Sequence, residues 1–104
     1  EKEIKKLGLK APMVGHVGDG NFHAIIGYDP KKEGEYEKIR TLSNKLIDKT
    51  LELEGTITGE HGIGLHKKAY LLKEHADNIP AMKLIKRSLD SNNIMNPGKI
   101  FDLN

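Results

Sequence analysis

The sequence predicts an α+β domain, in which an antiparallel sheet carries helices packed on one of its faces. Two short β-prone segments flank a Gly-Asp-Gly turn early in the chain, and segments with helical periodicity follow them. The chain has 104 residues, 37% hydrophobic and 31% charged. This length and balance are typical of one globular domain with a modest core.

The first elements are a helix end and a hairpin. The segment EKEIKKLGLK indicates the last turns of a helix, with lysines near its end and Gly8 as the residue that stops it. The segments APMVGHV and NFHAIIGY predict two strands, and YDPKKEGE predicts a turn. Because the chain opens inside a helix, we expect residues 1–104 to be a C-terminal piece of a longer protein.

The remaining elements are mostly helical. Apolar residues recur at helical spacing over 35–54, which predicts an amphipathic helix that Gly55 ends. The segment GTITGEHGIG has four glycines in ten residues and predicts a strand over 56–58 that leads into a tight loop. Further helices are predicted over 65–75 and 80–90, followed by a turn and a short extended tail in NNIMNPGKIF.

The hairpin turn decides where its histidines lie. An Asp-Gly pair favours a two-residue type I′ turn, which makes His16 and His23 direct cross-strand partners with Cβ atoms ~4.5–5.5 Å apart. A four-residue loop keeps this pairing, whereas a three-residue loop breaks it. Two imidazoles at that separation can bind one metal ion, although paired histidines in a strand can equally be half-buried polar residues.

The core prediction follows from the same geometry. Val17 and Phe22 would pair on the face opposite the histidines and enter the core. Leu42, Leu46 and Ile85 are the core residues expected from the helices.

The segment TGEHGIG offers a candidate for a third metal ligand. If the segment is extended, Glu60 and His61 point to different sides, so Glu60 can bind the ion while His61 stands beside it. A His2Glu ligand set with open positions is a catalytic pattern, and histidine suits general acid–base work. The alternative is a helix entry in which the glycines form a turn and Glu60 is solvated.

Other polar residues are less specific. Asn21 either serves the turn or directs its amide toward a ligand, and Lys67 is either solvated or near enough to the loop to meet an anion. Lys68 is expected to be solvated, and His66 and His75 are expected at the surface.

Composition excludes several classes of function. The net charge is +2 with lysines and glutamates interspersed, so no nucleic-acid surface is indicated. No apolar run reaches the ~20 residues of a membrane span, and no signal peptide is visible. We expect a cytoplasmic location, or a peripheral one at the inner face of a membrane. Without cysteine, a metal must be held by His, Asp or Glu.

Three motifs together resemble a known family. GHVGDGNFH, GTITGEHGIGLHK and MNPGKI, in this order, are similar to the C-terminal part of FAD-linked oxidases of the vanillyl-alcohol-oxidase type. Within that family the likeness is to the D-lactate dehydrogenase and glycolate oxidase branch, and it extends over nearly the whole chain.

The resemblance implies an N-terminal FAD-binding domain outside this chain and a ferredoxin-like cap domain that carries the substrate site. It implies oxidation of a D-2-hydroxy acid to the 2-oxo acid, with hydride passing to FAD. It also implies that His16, His23 and Glu60 hold a divalent metal ion, expected to be zinc, that His61 is the base, and that Asn96 lies near the flavin.

The resemblance also bears on the substrate and partners. Relatives that oxidise 2-hydroxyglutarate have an asparagine two places after the second histidine, where this chain has Ile25. A small acid such as D-lactate or glycolate is therefore expected, with Asn21 and Lys67 as candidate substrate-binding residues. We expect the chain alone to be inactive, to need the FAD-binding domain of its own protein, and to form a homodimer through an exposed sheet edge.

Two other classes of function remain open from the residues. One is a metal-dependent hydrolase that uses the same ligand set to activate water. The other is a packing module in which hairpin and loop only contact a partner domain.

Overall fold

The computed structural model describes residues 2–104, which form two compact units. The first unit ends at Glu54 and the second runs from Gly55 to Asn104. Within the described residues, the first unit contains a two-stranded antiparallel sheet and two α-helices, and the second contains two further α-helices. The predicted α+β class is confirmed.

The first helix, α1, is Lys2–Lys6, and Gly8 stops it as predicted. Gly8 has a left-handed φ of 66°, its N–H donates to the carbonyl of Lys5, and the next N–H, of Leu9, reaches back to Ile4. This pair of bonds is a Schellman motif, which satisfies carbonyls at the helix end. Leu9 is buried directly after it.

The hairpin consists of β1, Met13–Val14, and β2, His23–Ala24. Met13 pairs with Ala24 and Val14 pairs with His23. The predicted antiparallel hairpin is therefore present with shorter strands, and its turn is a longer loop over 15–22 in place of a two-residue turn.

The long helix α2 is Glu35–Glu52. Its first residue, Glu35, accepts the N–H of Asp29 at 2.6 Å, and this bond lowers the pKa of the Glu35 carboxyl, with Lys32 adding to the effect. The left-handed residue beyond the helix is Glu54, with φ of 59°, so the prediction that Gly55 ends the helix is wrong.

The second unit contains α3, Lys68–His75, a 3-10 turn at Ala76–Asn78, and α4, Ile79–Leu89, with Pro80 in its first turn. These elements confirm the two predicted helices, although α3 begins later because residues 64–67 form turns. The strand predicted over 56–58 is absent from the described chain.

Each unit buries a small number of apolar side chains. Leu9 and Leu42 are buried in the first unit, and Ile57, Leu71 and Ile79 are buried in the second. The prediction for Leu42 is confirmed, and Leu46 is half-buried.

Three core predictions are wrong. Val17 is 88% exposed and Phe22 is 48% exposed, because they lie in the loop between the strands and not on a strand face. Ile85 is 61% exposed, although it lies within α4 as predicted.

Along residues 2–104, the structure contains no helix with the length and apolar character that crossing a membrane requires.

Candidate functional site

The histidine loop, residues 15–22, is organised by backbone hydrogen bonds. The carbonyl of His16 accepts the N–H of Asp19 at 2.9 Å and the N–H of Asn21 at 3.2 Å. A 3-10 turn at Val17–Asp19 lies between them, and Gly20 follows with a left-handed φ of 68°. The loop is thus wound around the His16 carbonyl.

This winding overturns the predicted pairing of the histidines. Val14, and not His16, is opposite His23 in the strand register. The prediction failed because the His16 backbone bonds to the N–H groups of its own loop, which removes it from the strand ladder. His16 is exposed and His23 is half-buried.

Gly15 allows the two arms of this loop to approach closely. A Cβ atom built on Gly15 would lie 2.3 Å from the carbonyl oxygen of Asn21 and 2.4 Å from the Cα of Phe22. Both are backbone atoms, so a side chain here requires the loop to open. The glycine before the first histidine is therefore a structural part of the motif.

The glycine loop, residues 59–64, carries the other two candidate residues. The Glu60 Oε1 atom lies 3.9 Å from the His61 Nε2 atom, and the side chains are 46% and 73% exposed. Gly62 has a φ of 75°, a conformation in which glycine is not strained. The hydroxyl of Thr58 donates to the Gly62 carbonyl at 3.2 Å, which closes the loop around the pair.

The two lysines after this loop are half-buried, whereas Lys68 was predicted to be solvated and Lys67 to be either solvated or near an anion. Lys67 is half-buried, and its Nζ donates to the Ile57 carbonyl at 3.4 Å. Lys68 is also half-buried, with Nζ 2.7 Å from an Asp102 carboxylate oxygen. His66 is exposed, which confirms the surface prediction for that residue.

The C-terminal turn, residues 91–98, presents Asn96 at a left-handed φ of 46°. It is held by the buried carboxylate of Asp90, which accepts the N–H of Ile94 at 3.0 Å and of Met95 at 2.9 Å. Lys86 pairs with this carboxylate and also donates to the Met95 carbonyl at 2.5 Å. The Lys86 ammonium holds the pKa of the Asp90 carboxyl below its usual range, with the two N–H groups adding to the effect.

Sequence reasoning missed two residues that shape these loops. Asp90 is predicted only as the end of a helix, although an acid four residues after Lys86 and before a turn is a signal for such a cluster. Gly15 lies in a predicted strand, where an isolated glycine often marks a close backbone approach.

A comparison with known protein families assigns the chain to one of them. The family model described as FAD linked oxidases, C-terminal domain, matches residues 1–100. The chain belongs to this family. The predicted resemblance is therefore confirmed, and the FAD-linked oxidase family implies FAD as the cofactor.

Individual relatives of this FAD-linked oxidase domain have consistent names. "Probable D-lactate dehydrogenase, mitochondrial" of Danio rerio is 46% identical over 91% of this chain and 19% of the relative. "D-lactate dehydrogenase (cytochrome), mitochondrial" of Arabidopsis thaliana is 42% identical over 96% of this chain and 18% of the relative. The "Glycolate oxidase subunit GlcD" of Bacillus subtilis (strain 168) is 44% identical over 92% of this chain and 21% of the relative.

The chain therefore spans about a fifth of the length of the curated relatives it matches. All three are named as enzymes that oxidise a hydroxy acid or as a subunit of one.

Proposed function

We propose that this domain is the C-terminal, substrate-side part of an FAD-dependent enzyme that oxidises a small D-2-hydroxy acid, D-lactate or glycolate, to the 2-oxo acid. The observation that carries the proposal is the match to dehydrogenases and an oxidase subunit of this type along at least 91% of the chain. FAD would be bound mainly by another domain of the same protein, and the domain alone would be inactive.

His61 is the proposed general base. Its imidazole accepts the proton of the substrate 2-hydroxyl as the C=O bond forms and the α C–H bond breaks. The α hydrogen leaves as hydride, for which FAD would supply the acceptor when bound. The exposure of the His61 side chain and its position in a closed loop beside Glu60 support this role.

His16, His23 and Glu60 are the proposed ligands of a divalent metal ion, with zinc as the candidate. Two imidazoles and one carboxylate are the ligand types of catalytic zinc sites, and none of the three side chains is fully buried, so the donor set fits the ion. A metal there would supply a Lewis acid that favours loss of the substrate hydroxyl proton.

The remaining assignments concern recognition. Asn21 and Lys67 are proposed to bind the substrate, and Asn96 to lie near the flavin. Asn96 is supported by its place in a turn that Asp90 holds in one conformation. Ile25 is 56% exposed two residues after His23, and an apolar residue there favours a small acid over a dicarboxylate.

The test is made on the complete protein that contains this segment, purified with its flavin. Anaerobic bleaching of the flavin by D-lactate or glycolate, but not by L-lactate, is expected. His61→Gln should lower kcat by ~10²–10⁴-fold, since this is the typical contribution of a general base. His66→Gln is the matched control, because His66 is an exposed histidine a few residues along the chain, and it should leave kcat unchanged.

Two results would contradict the proposal. One is a flavin that neither D-lactate nor glycolate reduces, whether or not D-2-hydroxyglutarate reduces it. The other is zinc-dependent hydrolysis of model esters by residues 1–104 alone, which would favour the hydrolase.

A further inference from the structure

Ile57 is held through both of its backbone polar groups by side chains at the two ends of α3. Its N–H donates to the Glu74 carboxylate at 3.1 Å, and its carbonyl accepts the Lys67 ammonium at 3.4 Å. Ile57 is 6% exposed, and the Glu74 side chain is 11% exposed. Both bonds have one charged partner, and the bond to Glu74 is the shorter, so it is the stronger of the two.

The segment that follows Ile57 is closed and then anchored again. Thr58 donates to the Gly62 carbonyl, and the N–H of Ile100 donates to the Gly64 carbonyl at 2.8 Å. Glu60 and His61 thus lie in a short loop with a fixed backbone at each end. The side chains of Glu60 and His61 are exposed, and their backbone lies between these two anchored points.

We propose that Glu74 is a positioning residue, whose carboxylate fixes Ile57 and thereby sets the place of Glu60 and His61. This inference rests on the proposed function, since it gives that position a role in hydroxy-acid oxidation. Glu74 is on a regular helix, and a rigid element supports a loop more precisely than another loop does. A buried N–H without a hydrogen-bond acceptor is unfavourable. Removal of the Glu74 carboxylate should therefore shift Ile57 toward another acceptor and displace the glycine loop that follows it.

The geometric part is tested on the 104-residue chain by amide hydrogen exchange, followed by NMR. In Glu74→Ala the Ile57 amide should exchange at least about tenfold faster, because its acceptor is lost. Glu74→Gln keeps a carbonyl oxygen in place and should restore most of the protection. Glu52→Ala, which removes an exposed carboxylate paired with Lys49, is the control and should leave the Ile57 amide unchanged.

The functional part uses the same variants in the complete flavoprotein. Glu74→Ala should lower kcat by about 10- to 100-fold, as expected for a misplaced catalytic loop, with flavin content unchanged. Glu74→Gln should recover activity to within a few-fold. If Glu74→Ala does not fold, the Gln variant decides, because full loss of activity in that folded variant overturns the proposal.

The results that would contradict the positioning role differ from those that would contradict the proposed function. An active wild-type protein with unchanged kcat in Glu74→Ala overturns the positioning role alone. An unchanged Ile57 exchange rate in that variant overturns the geometric basis. A wild-type flavoprotein that oxidises no 2-hydroxy acid refutes the proposed function, and the positioning role in that reaction falls with it.

Discussion

At the scale of single residues, Gly15 sets the shape of the histidine loop. Gly15→Ala places a Cβ within 2.4 Å of two backbone atoms, so either the loop must open or its backbone must be strained. We expect the free energy of unfolding to fall by about 1–3 kcal/mol, as in other overpacked sites. Urea unfolding followed by circular dichroism measures this change.

The matched control for Gly15 is Gly18 in the same loop. An added Cβ at Gly18 meets no atom within 4 Å, so Gly18→Ala should change stability by no more than about 0.5 kcal/mol. Equal effects of the two substitutions would show that the close approach at Gly15 does not govern the loop.

His16 carries the second residue-scale prediction. If His16, His23 and Glu60 bind zinc, calorimetry on the 104-residue chain should show saturable one-to-one binding. His16→Ala should weaken it by more than the roughly 10- to 100-fold typical of losing an outer hydrogen-bond partner, since a ligand is removed. His66→Ala, an exposed histidine outside the ligand set, is the control. A folded chain that does not bind zinc would remove the metal from the mechanism.

At the scale of elements, Asp90 joins the end of α4 to the C-terminal turn. Its pKa is lowered in the folded state by Lys86 and by two N–H groups. A lowered folded-state pKa stabilises the protein above the ordinary carboxyl pKa of ~3.9, and this stability is lost as the pH falls through the folded-state value. The turn that carries Asn96 should therefore loosen in acid.

Asp90→Asn tests this element. The variant should unfold several degrees below the wild type at pH 7. The gap should begin to narrow below about pH 4, where Asp90 of the unfolded chain takes up a proton, and it should close as the pH falls through the lower folded-state pKa of Asp90. Asp77→Asn, at an exposed position in the 3-10 turn, is the control with no expected shift. A gap that stays constant into acid would mean that the Asp90 charge does not stabilise the turn.

Elements also show where sequence reasoning succeeds. The helices over 35–52 and 79–89 were predictable because helical periodicity and Pro80 are local signals. The hairpin register was not predictable, because it depends on how eight loop residues fold onto the His16 carbonyl. The missing strand over 56–58 has a similar cause, since Ile57 bonds to Glu74 and Lys67 side chains and not to another strand.

The candidate site divides in the same way. Residue types and spacing made His16, His23, Glu60 and His61 candidates, because their chemistry is visible in the sequence. The residues that hold their loops, Glu74 and Gly15, act through backbone contacts that only the folded chain shows.

At the scale of the whole molecule, many large apolar side chains are exposed. Five of them lie along α4 and the turn after it and are 60–77% exposed: Leu84, Ile85, Leu89, Ile94 and Met95. Soluble monomers rarely expose contiguous apolar patches of more than a few hundred Å². The chain spans about a fifth of its relatives, so we propose that in the complete protein other segments cover some of this surface.

The 104-residue chain alone should therefore self-associate as its concentration rises, because association removes this apolar surface from water. Sedimentation velocity at increasing concentration measures the change in mass. Ile85→Lys with Leu89→Lys should shift association to higher concentration, since a buried lysine pair is costly in an apolar contact. Leu53→Lys, at an equally exposed site at the end of α2, should have little effect. A chain that stays monomeric would show that these side chains are too scattered to drive association. An equal effect of Leu53→Lys would show that association does not depend specifically on the apolar side chains of α4.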